Sequence, residues 1–318
     1  MILVTGASGF VGRGILAELA RRGVPGIAAV RNQPAKPLQE AVYVTGVDLS
    51  PESSWDTALV GVKTVIHAAA RVHVMNDTAT DPLAEFRRIN VAGSANLAMQ
   101  AAAAGVRRFV FISSIKVHGE RNVEGRPFRS TDNPAPADPY GISKWEAELE
   151  LTRIAKATGL ELVIIRPVLV YGPGVKANVE AMMRWLVRGV PLPFGSIDNR
   201  RSLVALGNLV DLIITCVEHP RAPGETFLVS DGEDLSTTEL LKRMAAALGV
   251  SPRLIPVPAA MLRVATSLLG RQDLGRRLFE SLQVDIAHAR ERIGWSPTTL
   301  VNDALRETAS DFLERYRW

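Results

Sequence analysis

The N-terminal segment constrains the fold of this chain more than any other. An aliphatic run, Ile2–Thr5, leads directly into a glycine-rich turn, and a helical pattern follows from Phe10. Glycine permits such a tight turn, and the free backbone N–H groups at a helix N-terminus attract a diphosphate. Because the turn lies between a strand and a helix, it predicts a dinucleotide-binding unit. The expected cofactor contacts in this unit come from Gly6, Ser8, Gly9, Phe10, Val11 and Gly12.

Short apolar runs alternate with longer helical patterns through the first half of the chain. This alternation predicts an α/β fold with a doubly wound parallel sheet of the Rossmann type, covered by helices on both faces. The predicted strands are residues 2–5, 26–30, 41–46, 64–68, 109–113 and 162–166, and the predicted helices are residues 10–22, 82–104 and 141–158.

Proline and glycine become frequent after Pro167, where the regular alternation ends. We expect residues 1–166 to form the dinucleotide-binding domain, with residues 207–220 packing on it. Residues 167–318 are expected to form a smaller mixed α/β domain for the substrate, whose elements interleave with the first domain. The patterns in this part predict a strand at 226–230 and helices at 207–218, 237–248, 260–282, 288–293 and 300–317.

Composition excludes several other classes of protein. The net charge is only +4 over 318 residues, and the arginines are scattered, so we expect no nucleic-acid partner. The single cysteine, Cys216, rules out an internal disulfide, and no Cys/His cluster predicts a metal site. The first residues lack the pattern of a signal peptide, so we expect none. The sequence has no long uncharged apolar stretch, and we expect a cytoplasmic protein without a membrane partner. The amphipathic stretch 259–283 is interpreted as a packed helix rather than a membrane-surface helix.

The residue after the second strand bears on the choice of cofactor. An acid there binds the free ribose 2′-hydroxyl of NAD, whereas an arginine accommodates the 2′-phosphate of NADP. This segment, residues 28–32, contains Arg31 and no acid, which favours NADP(H). NAD(H) stays open, because Arg31 could instead stack on the adenine. Further cofactor contacts are expected after the third and fourth strands, from Asp48, Leu49, Ala68, Ala69 and Ala70.

Tyr140 and Lys144 are spaced to lie on one face of a helix. A tyrosine has an ordinary pKa near 10, and a neighbouring ammonium group is expected to lower it. Such a phenol can give a proton to a carbonyl oxygen or take it back. Alone, the pair would more simply be a surface contact. However, Ser114 follows the strand 109–113 at the edge where doubly wound sheets bind ligands, so these three residues are the predicted catalytic group.

These motifs together resemble the extended short-chain dehydrogenases/reductases of the NAD-dependent epimerase/dehydratase family. The resemblance implies that Ser114, Tyr140 and Lys144 are catalytic and that Lys144 also holds the nicotinamide ribose. It implies further cofactor contacts from Pro167 and from Asn90, although a helical asparagine is often only a packing residue. The matching segments are residues 5–12, 67–70, 90–93, 111–119, 140–144, 166–173, 201–209 and 293–297.

The resemblance also implies a nucleotide-sugar substrate. It places Asn178 and Arg201 at the diphosphate, and a guanidinium group suits a phosphate. Two positions depart from the family pattern. The family usually has an acid at the position of Asn208 and aromatic residues near Leu203.

Within the family, residues 111–120 and 69–77 resemble the 4-ketoreductases of bacterial polysaccharide pathways. We therefore expect an NADPH-dependent reductase for the 4-keto group of a UDP-4-keto-6-deoxy-N-acetylhexosamine, acting as a homodimer. The alternative is a UDP-hexose 4-epimerase, for UDP-glucose or UDP-N-acetylglucosamine, that keeps NAD bound and shows no net redox change. A non-catalytic NADP-binding regulator is disfavoured, because such proteins typically lack the pair Tyr140 and Lys144.

Overall fold

A seven-stranded parallel sheet forms the centre of the molecule, in the order β3-β2-β1-β4-β5-β6-β9, and a smaller sheet has the order β10-β8-β7. The computed structural model describes residues 1–35, 37–38, 41–72, 81–123, 125–268, 275 and 278–316. The strands are β1 (Ile2–Thr5), β2 (Gly26–Ala29), β3 (Ala41–Val44), β4 (Thr64–His67), β5 (Arg108–Ile112), β6 (Glu161–Pro167), β7 (Leu169–Tyr171), β8 (Arg201–Ala205), β9 (Thr226–Val229) and β10 (Asp234–Leu235).

The helices fill the connections between these strands. They are α1 (Phe10–Arg21), α2 (Asp56–Leu59), α3 (Pro82–Phe86), α4 (Ser94–Ala103), α5 (Pro139–Thr158), α6 (Ala177–Val187), α7 (Leu206–Glu218), α8 (Thr237–Ala247), α9 (Ala259–Leu268), and two further helices, Ala287–Ile293 and Val301–Arg315. A π-helical segment, Arg87–Gly93, joins α3 to α4, so the predicted helix 82–104 is interrupted.

Apart from the edge strand β3, the large sheet is buried on both faces, as its nearly continuous apolar strands predict. Leu3 belongs to the core on the side of α2, α4 and α5, whereas its neighbour Val4 belongs to the core on the side of α1 and α7. This alternation follows from the pleat of the strand. A third core joins α6, α8 and the helix Val301–Arg315 to the smaller sheet.

The order of the strands reverses between β1 and β4. In doubly wound sheets, such a switch point opens a crevice at the carboxyl ends of the strands, and ligands bind there. Here the glycine-rich turn follows β1, and residues 68–70 follow β4. The fold therefore places both predicted cofactor segments at one crevice.

The large sheet and its cover extend beyond residue 167. Helix α7 packs against this sheet, and β9 lies beside β6 in it, so the expected boundary does not separate the two sheets. The assignment of residues 167–318 to substrate binding stays a prediction.

Three sequence-based expectations lie partly outside the described residues: the helix 260–282, the helix 300–317 and the ketoreductase-like segment 69–77. Within the described ranges, none of the helices has the length and apolar character needed to span a bilayer. No group of three or more His, Cys, Asp or Glu side chains in that part of the chain is placed to hold a metal ion.

Candidate active site

The glycine-rich turn leaves no room for side chains at two of its positions. Gly6 has a φ of +66°, and an added Cβ would lie 2.7 Å from the backbone nitrogen of Ala69 and 2.8 Å from the carbonyl group of Ala68. At Gly12 the added Cβ would lie 2.2 Å from the Gly6 carbonyl oxygen. These contacts are to backbone, which cannot move aside as a flexible side chain can. The turn is therefore locked against the end of β4.

The N-terminus of α1 has the properties of an anion site. Gly9 is its N-cap, and neither a side-chain cap nor an acidic residue satisfies the N–H groups of the first turn. Ser8 and Gly9 are exposed, whereas Phe10 and Val11 are half-buried and pack against neighbouring cores. Helix N–H groups without a side-chain cap, next to exposed residues, fit a dinucleotide diphosphate.

Arg31 lies just beyond the carboxyl end of β2 with an exposed side chain. It forms no ion pair with any described residue, so its guanidinium group is available to a ligand. Asp48 is also exposed, and its carboxylate accepts a hydrogen bond of 2.8 Å from the backbone N–H of Leu49. Leu49 itself is buried beneath Gly93. Arg31 and Asp48 therefore present polar groups at the side of the crevice predicted for the adenosine.

His67, at the end of β4, fixes the crevice floor. Its Nδ1 lies 2.6 Å from the Thr5 hydroxyl, and its Nε2 lies 2.8 Å from the Ser94 hydroxyl. Burial and the charge of Lys144 lower the pKa of His67 to about 3, so the ring is neutral. The Thr5 hydroxyl also accepts a hydrogen bond of 3.2 Å from the N–H of Ala69. His67 thus ties β1, β4 and α4 together, a role that the sequence alone does not predict.

The three predicted catalytic residues come together at the carboxyl edge of β5. Ser114 caps a short 3₁₀ helix, Ile115–Val117, and its hydroxyl is close enough to Tyr140, in the first turn of α5, to act on the pKa of that phenol. Lys144 lies one turn further along α5, with its Nζ 3.9 Å from the centre of the Phe111 ring. Asp138 begins this helix by accepting a hydrogen bond of 2.6 Å from Gly141, which fixes the turn that carries Tyr140.

The electrostatics of this group differ from the expectation. Burial and the nearby Asp138 raise the pKa of Tyr140 to about 12, although the neighbouring Ser114 hydroxyl opposes this rise. Burial lowers the pKa of Lys144 to about 7, and the charge of Glu148 opposes that change. The prediction that Lys144 lowers the pKa of Tyr140 is therefore wrong for the protein by itself, because burial disfavours both charged forms. Tyr140 is an un-ionised phenol at neutral pH.

Asn90 lies in the π-helical segment and is fully engaged with the protein. Its Oδ1 accepts a hydrogen bond of 2.7 Å from the N–H of Arg71. Its Nδ2 donates to the Arg71 carbonyl and to the Ser143 hydroxyl, both at 3.0 Å. Asn90 thus ties the segment after β4 to α5, next to Lys144. Pro167 is buried at the end of β6, where it pairs with Val229 of β9.

The two predicted substrate residues lie on different elements of the second half of the chain. Asn178 is exposed in the first turn of α6, beside Ala177, whose φ of +57° is unusual for a residue other than glycine. Arg201 begins β8, and its Nη1 donates a hydrogen bond of 3.0 Å to the carbonyl of Glu280.

The structure explains one departure from the family pattern. Asn208 is buried, and its Nδ2 donates at 2.7 Å to the carboxylate of Asp231 and at 2.9 Å to the carbonyl of Thr299. Its Oδ1 accepts from the N–H groups of Thr298 and Thr299. An amide can donate to Asp231, whereas an acid at this position would repel it. The residue is therefore matched to its buried partner.

Sequence reasoning missed several residues that surround the predicted group. Lys116 forms ion pairs with Asp138 and Glu120, which link the Ser114 segment to the start of α5. A buried ion pair joins Glu148 of α5 to Arg166 of β6. Asp138 could have been found from its place before proline at a helix start. No local sequence pattern indicates that Glu148 pairs with Arg166.

The parallel sheet, the glycine-locked turn and the Ser–Tyr–Lys group define a Rossmann-fold protein of the short-chain dehydrogenase type. The NAD dependent epimerase/dehydratase family matches residues 2–230. The chain belongs to this family.

Individual relatives extend over almost the whole chain. A UDP-glucose 4-epimerase of Vibrio cholerae is 45% identical over 98% of this chain and 95% of its own length. A GDP-6-deoxy-D-mannose reductase of Pseudomonas aeruginosa is 27% identical over 99% of this chain and 98% of its own length. A UDP-glucuronic acid 4-epimerase of Bacillus cereus, solved with NAD, has a TM-score of 0.79 at 18% identity and covers 99% of both chains, which supports the fold.

Proposed function

We propose that this protein is an NAD-dependent 4-epimerase of UDP-hexoses. The observation that carries the chemistry is that Ser114, just after β5, interacts with Tyr140 of α5, while Lys144 lies one turn further along the same helix, over Phe111 of β5. The choice of reaction is supported by the 45% identity with a UDP-glucose 4-epimerase. This choice reverses the order of the two interpretations drawn from the sequence, where the 4-ketoreductase stood first.

The residues present fit a dinucleotide cofactor. The first turn of α1 would hold the diphosphate, Lys144 would hold the nicotinamide ribose, and Pro167 would lie by the nicotinamide. The small residues 68–70 leave room for the cofactor to pass close to the backbone. When bound, oxidised NAD would supply a hydride acceptor and a positive charge.

Tyr140 moves the proton of the reaction. As a phenolate it would take the proton from the sugar 4-hydroxyl, and as a phenol it would return a proton to the 4-keto oxygen. Ser114 would hydrogen-bond the same oxygen and hold it in line with Tyr140. Because burial raises the pKa of Tyr140 to about 12, its phenolate depends on nearby positive charge. We propose that Lys144 would provide part of that charge once the cofactor and substrate are bound.

The nucleotide would be held away from the reacting carbon. Arg201 at the start of β8 and Asn178 at the start of α6 are the proposed contacts for the diphosphate. Binding energy from this remote part of the substrate could orient the sugar for reaction. In a 4-epimerase, it could also retain the substrate while its two faces are presented in turn.

One observation favours a second candidate, the NADPH-dependent 4-ketoreductase. The exposed guanidinium group of Arg31 at the end of β2 suits the 2′-phosphate of NADP. The substrate expected from the sequence is that of UDP-N-acetylquinovosamine dehydrogenase, and the 27% identity with a GDP-6-deoxy-D-mannose reductase supports reduction as a class.

The two candidates differ in cofactor use and in substrate. The purified protein is incubated with UDP-galactose or UDP-N-acetylgalactosamine, without added cofactor, and the products are separated by chromatography. A 4-epimerase converts at least one of them into its 4-epimer. In parallel, NADPH oxidation is followed with UDP-4-keto-6-deoxy sugars. Oxidation of NADPH without any epimerisation would refute the main proposal and support the second candidate.

Arg31 provides a separate test of cofactor choice. If Arg31 binds the 2′-phosphate, Arg31→Ala weakens the binding of NADPH by about 1.5–3 kcal/mol, the usual range for a charge-assisted hydrogen bond. The binding of NADH stays nearly unchanged. If NAD is the natural cofactor, the wild-type protein binds NAD more tightly than NADP. Arg31→Ala then changes the affinities for NAD and NADP to the same extent. Calorimetry with the four nucleotides distinguishes these outcomes.

A further inference from the structure

The buried carboxylate of Glu148 contacts residues next to Ser114 and Pro167 and lies on the same helix as Tyr140 and Lys144. These residues lie on or next to three elements, because Ser114 follows β5, Tyr140 and Lys144 lie on α5, and Pro167 ends β6. Glu148 lies one helical turn after Lys144, on the same face of α5. It is 1% exposed, so its charge must be satisfied within the protein.

The Glu148 carboxylate joins β5 and β6 to α5. It accepts a hydrogen bond from the hydroxyl of Ser113, and bonds of 3.0 and 2.5 Å from Nε and Nη2 of Arg166. Ser113 immediately precedes Ser114, and Arg166 immediately precedes Pro167. A shift of the Glu148 carboxylate would therefore move the residues that directly precede Ser114 and Pro167.

Arg166 extends the network to the far side of Ser114. Its Nη1 lies 2.7 Å from Nε2 of His118, which follows the 3₁₀ helix that Ser114 caps. Burial and the charge of Arg166 lower the pKa of His118 to about 4, so this ring is a neutral acceptor. It stacks on Phe128 at 5.3 Å. Both flanks of Ser114 are thus held by groups that depend on Glu148.

We infer that Glu148 is a positioning residue that sets Ser114 and Pro167 relative to Lys144 and holds a negative charge one turn away from the ammonium group. This inference rests on the proposed 4-epimerase function and deepens it.

The charged surroundings of Lys144 are consistent with this role. The Glu148 charge raises the pKa of Lys144 and opposes the effect of burial. Facing groups from the neighbouring elements are His67 of β4, which is neutral, and Arg166 of β6, which pairs with Glu148. On α5 itself, Tyr140 is un-ionised. Glu148 is thus the group that favours the protonated lysine.

A second ion pair joins the same two strands and provides a control, although its carboxylate, on Glu161, is only half-buried. Arg108 of β5 is 2% exposed and donates to Glu161 of β6 at 2.7 and 2.8 Å. This pair lies at the amino ends of the strands, at the edge of the sheet opposite to the crevice. Glu161→Gln therefore weakens an ion pair between β5 and β6 without touching the proposed site.

The test compares Glu148→Gln with Glu161→Gln in turnover of the UDP-hexose, in NAD binding by calorimetry, and in thermal unfolding. For Glu148→Gln we expect kcat to fall about 10²-fold with little change in KM, since small displacements of reacting groups have effects of this size. We also expect the alkaline limb of the activity profile to move to lower pH, because Lys144 loses the charge that favours its protonated form. Glu161→Gln should keep kcat and the pH profile of the wild type.

A double variant, Glu148→Met with Arg166→Met, covers the case in which Glu148→Gln does not fold. Replacing both members of a buried pair by apolar residues is often tolerated. We expect this variant to fold, to retain a low kcat, and to bind NAD more weakly than the wild type.

Two results would overturn the inference: a normal kcat and pH profile for folded Glu148→Gln, or equal losses of activity per folded molecule for Glu148→Gln and Glu161→Gln. Failure of the proposed function gives a different pattern. In that case the wild type epimerises no UDP-hexose, while the effect of Glu148→Gln on NAD binding through Lys144 can still be measured.

Discussion

Substitution of Gly6 by alanine tests the geometry of the cofactor turn most sharply. The φ of Gly6 is +66°, which costs an alanine about 1–2 kcal/mol. The added Cβ would also meet the backbone of Ala68 and Ala69 at 2.7–2.8 Å. Overpacking of this kind costs about 1–3 kcal/mol. Gly6→Ala should therefore lower the free energy of unfolding by about 2–5 kcal/mol.

Gly23 provides a matched control for backbone strain. Its φ is also +66°, but an added Cβ would meet nothing within 4 Å. Gly23→Ala should therefore cost only about 1–2 kcal/mol. The difference between the two variants, about 1–3 kcal/mol, measures the contact between the turn and the end of β4.

The assay is urea unfolding of both variants, together with calorimetric titration of NAD. Gly6→Ala should bind NAD much more weakly, because the Cβ displaces the turn, whereas Gly23→Ala should bind it normally. Equal stability losses, together with normal NAD affinity in Gly6→Ala, would refute the argument that this turn is locked against β4.

Three further predictions follow from individual side chains. Tyr140→Phe should lower kcat by about 10²–10⁴-fold with near-normal NAD affinity, because only the proton-transfer group is lost; near-normal steady-state turnover would contradict this role. In the folded protein the pKa of Lys144 is lowered from 10.5 to about 7. Between pH 7 and 10 the folded protein therefore binds fewer protons than the unfolded chain, and its free energy of unfolding should rise with pH. Lys144→Met should flatten that rise in urea unfolding without added cofactor, and an unchanged slope would be evidence against a buried ammonium group. Ala177→Gly should stabilise the protein by about 1 kcal/mol by relieving the strain of a φ of +57°, and lower stability in urea would argue against that conformation.

The elements with strong local signals were predicted from the sequence. The strand–turn–helix unit at the N-terminus and the parallel strands have near-continuous apolar runs or glycines at required positions. Helix α5 is capped by Asp138 and begins at Pro139, and it ends before Gly159, whose φ is +77°. Such signals are readable from the sequence. The predicted catalytic residues follow directly from these elements.

The elements that were missed have weak or conflicting signals. Helix α6 begins after Lys176, which provides no side-chain cap, and its first residue has left-handed backbone. Strand β8 continues directly into α7, so the apolar run offers no turn residue between them. The π-helical segment Arg87–Gly93 also has no local pattern of its own.

The charges of the site could not be predicted, because they depend on burial and on partners distant in sequence. The expectation of a lowered pKa for Tyr140 considered Lys144 but not the burial that raises it to about 12. The network of Glu148 likewise depends on residues 35 and 18 positions away, Ser113 and Arg166.

The most direct test of the proposed function is the fate of the hydrogen at C4 of the sugar. UDP-galactose carrying deuterium at C4 is incubated with the purified protein without added cofactor, and the product is examined by NMR. Removal and return of the same hydride within one active site predict UDP-glucose that keeps its deuterium at C4. UDP-N-acetylgalactosamine carrying deuterium at C4 is treated in the same way. The proposed 4-epimerase would be contradicted if neither sugar is inverted at C4, or if inversion occurs with loss of the deuterium to solvent.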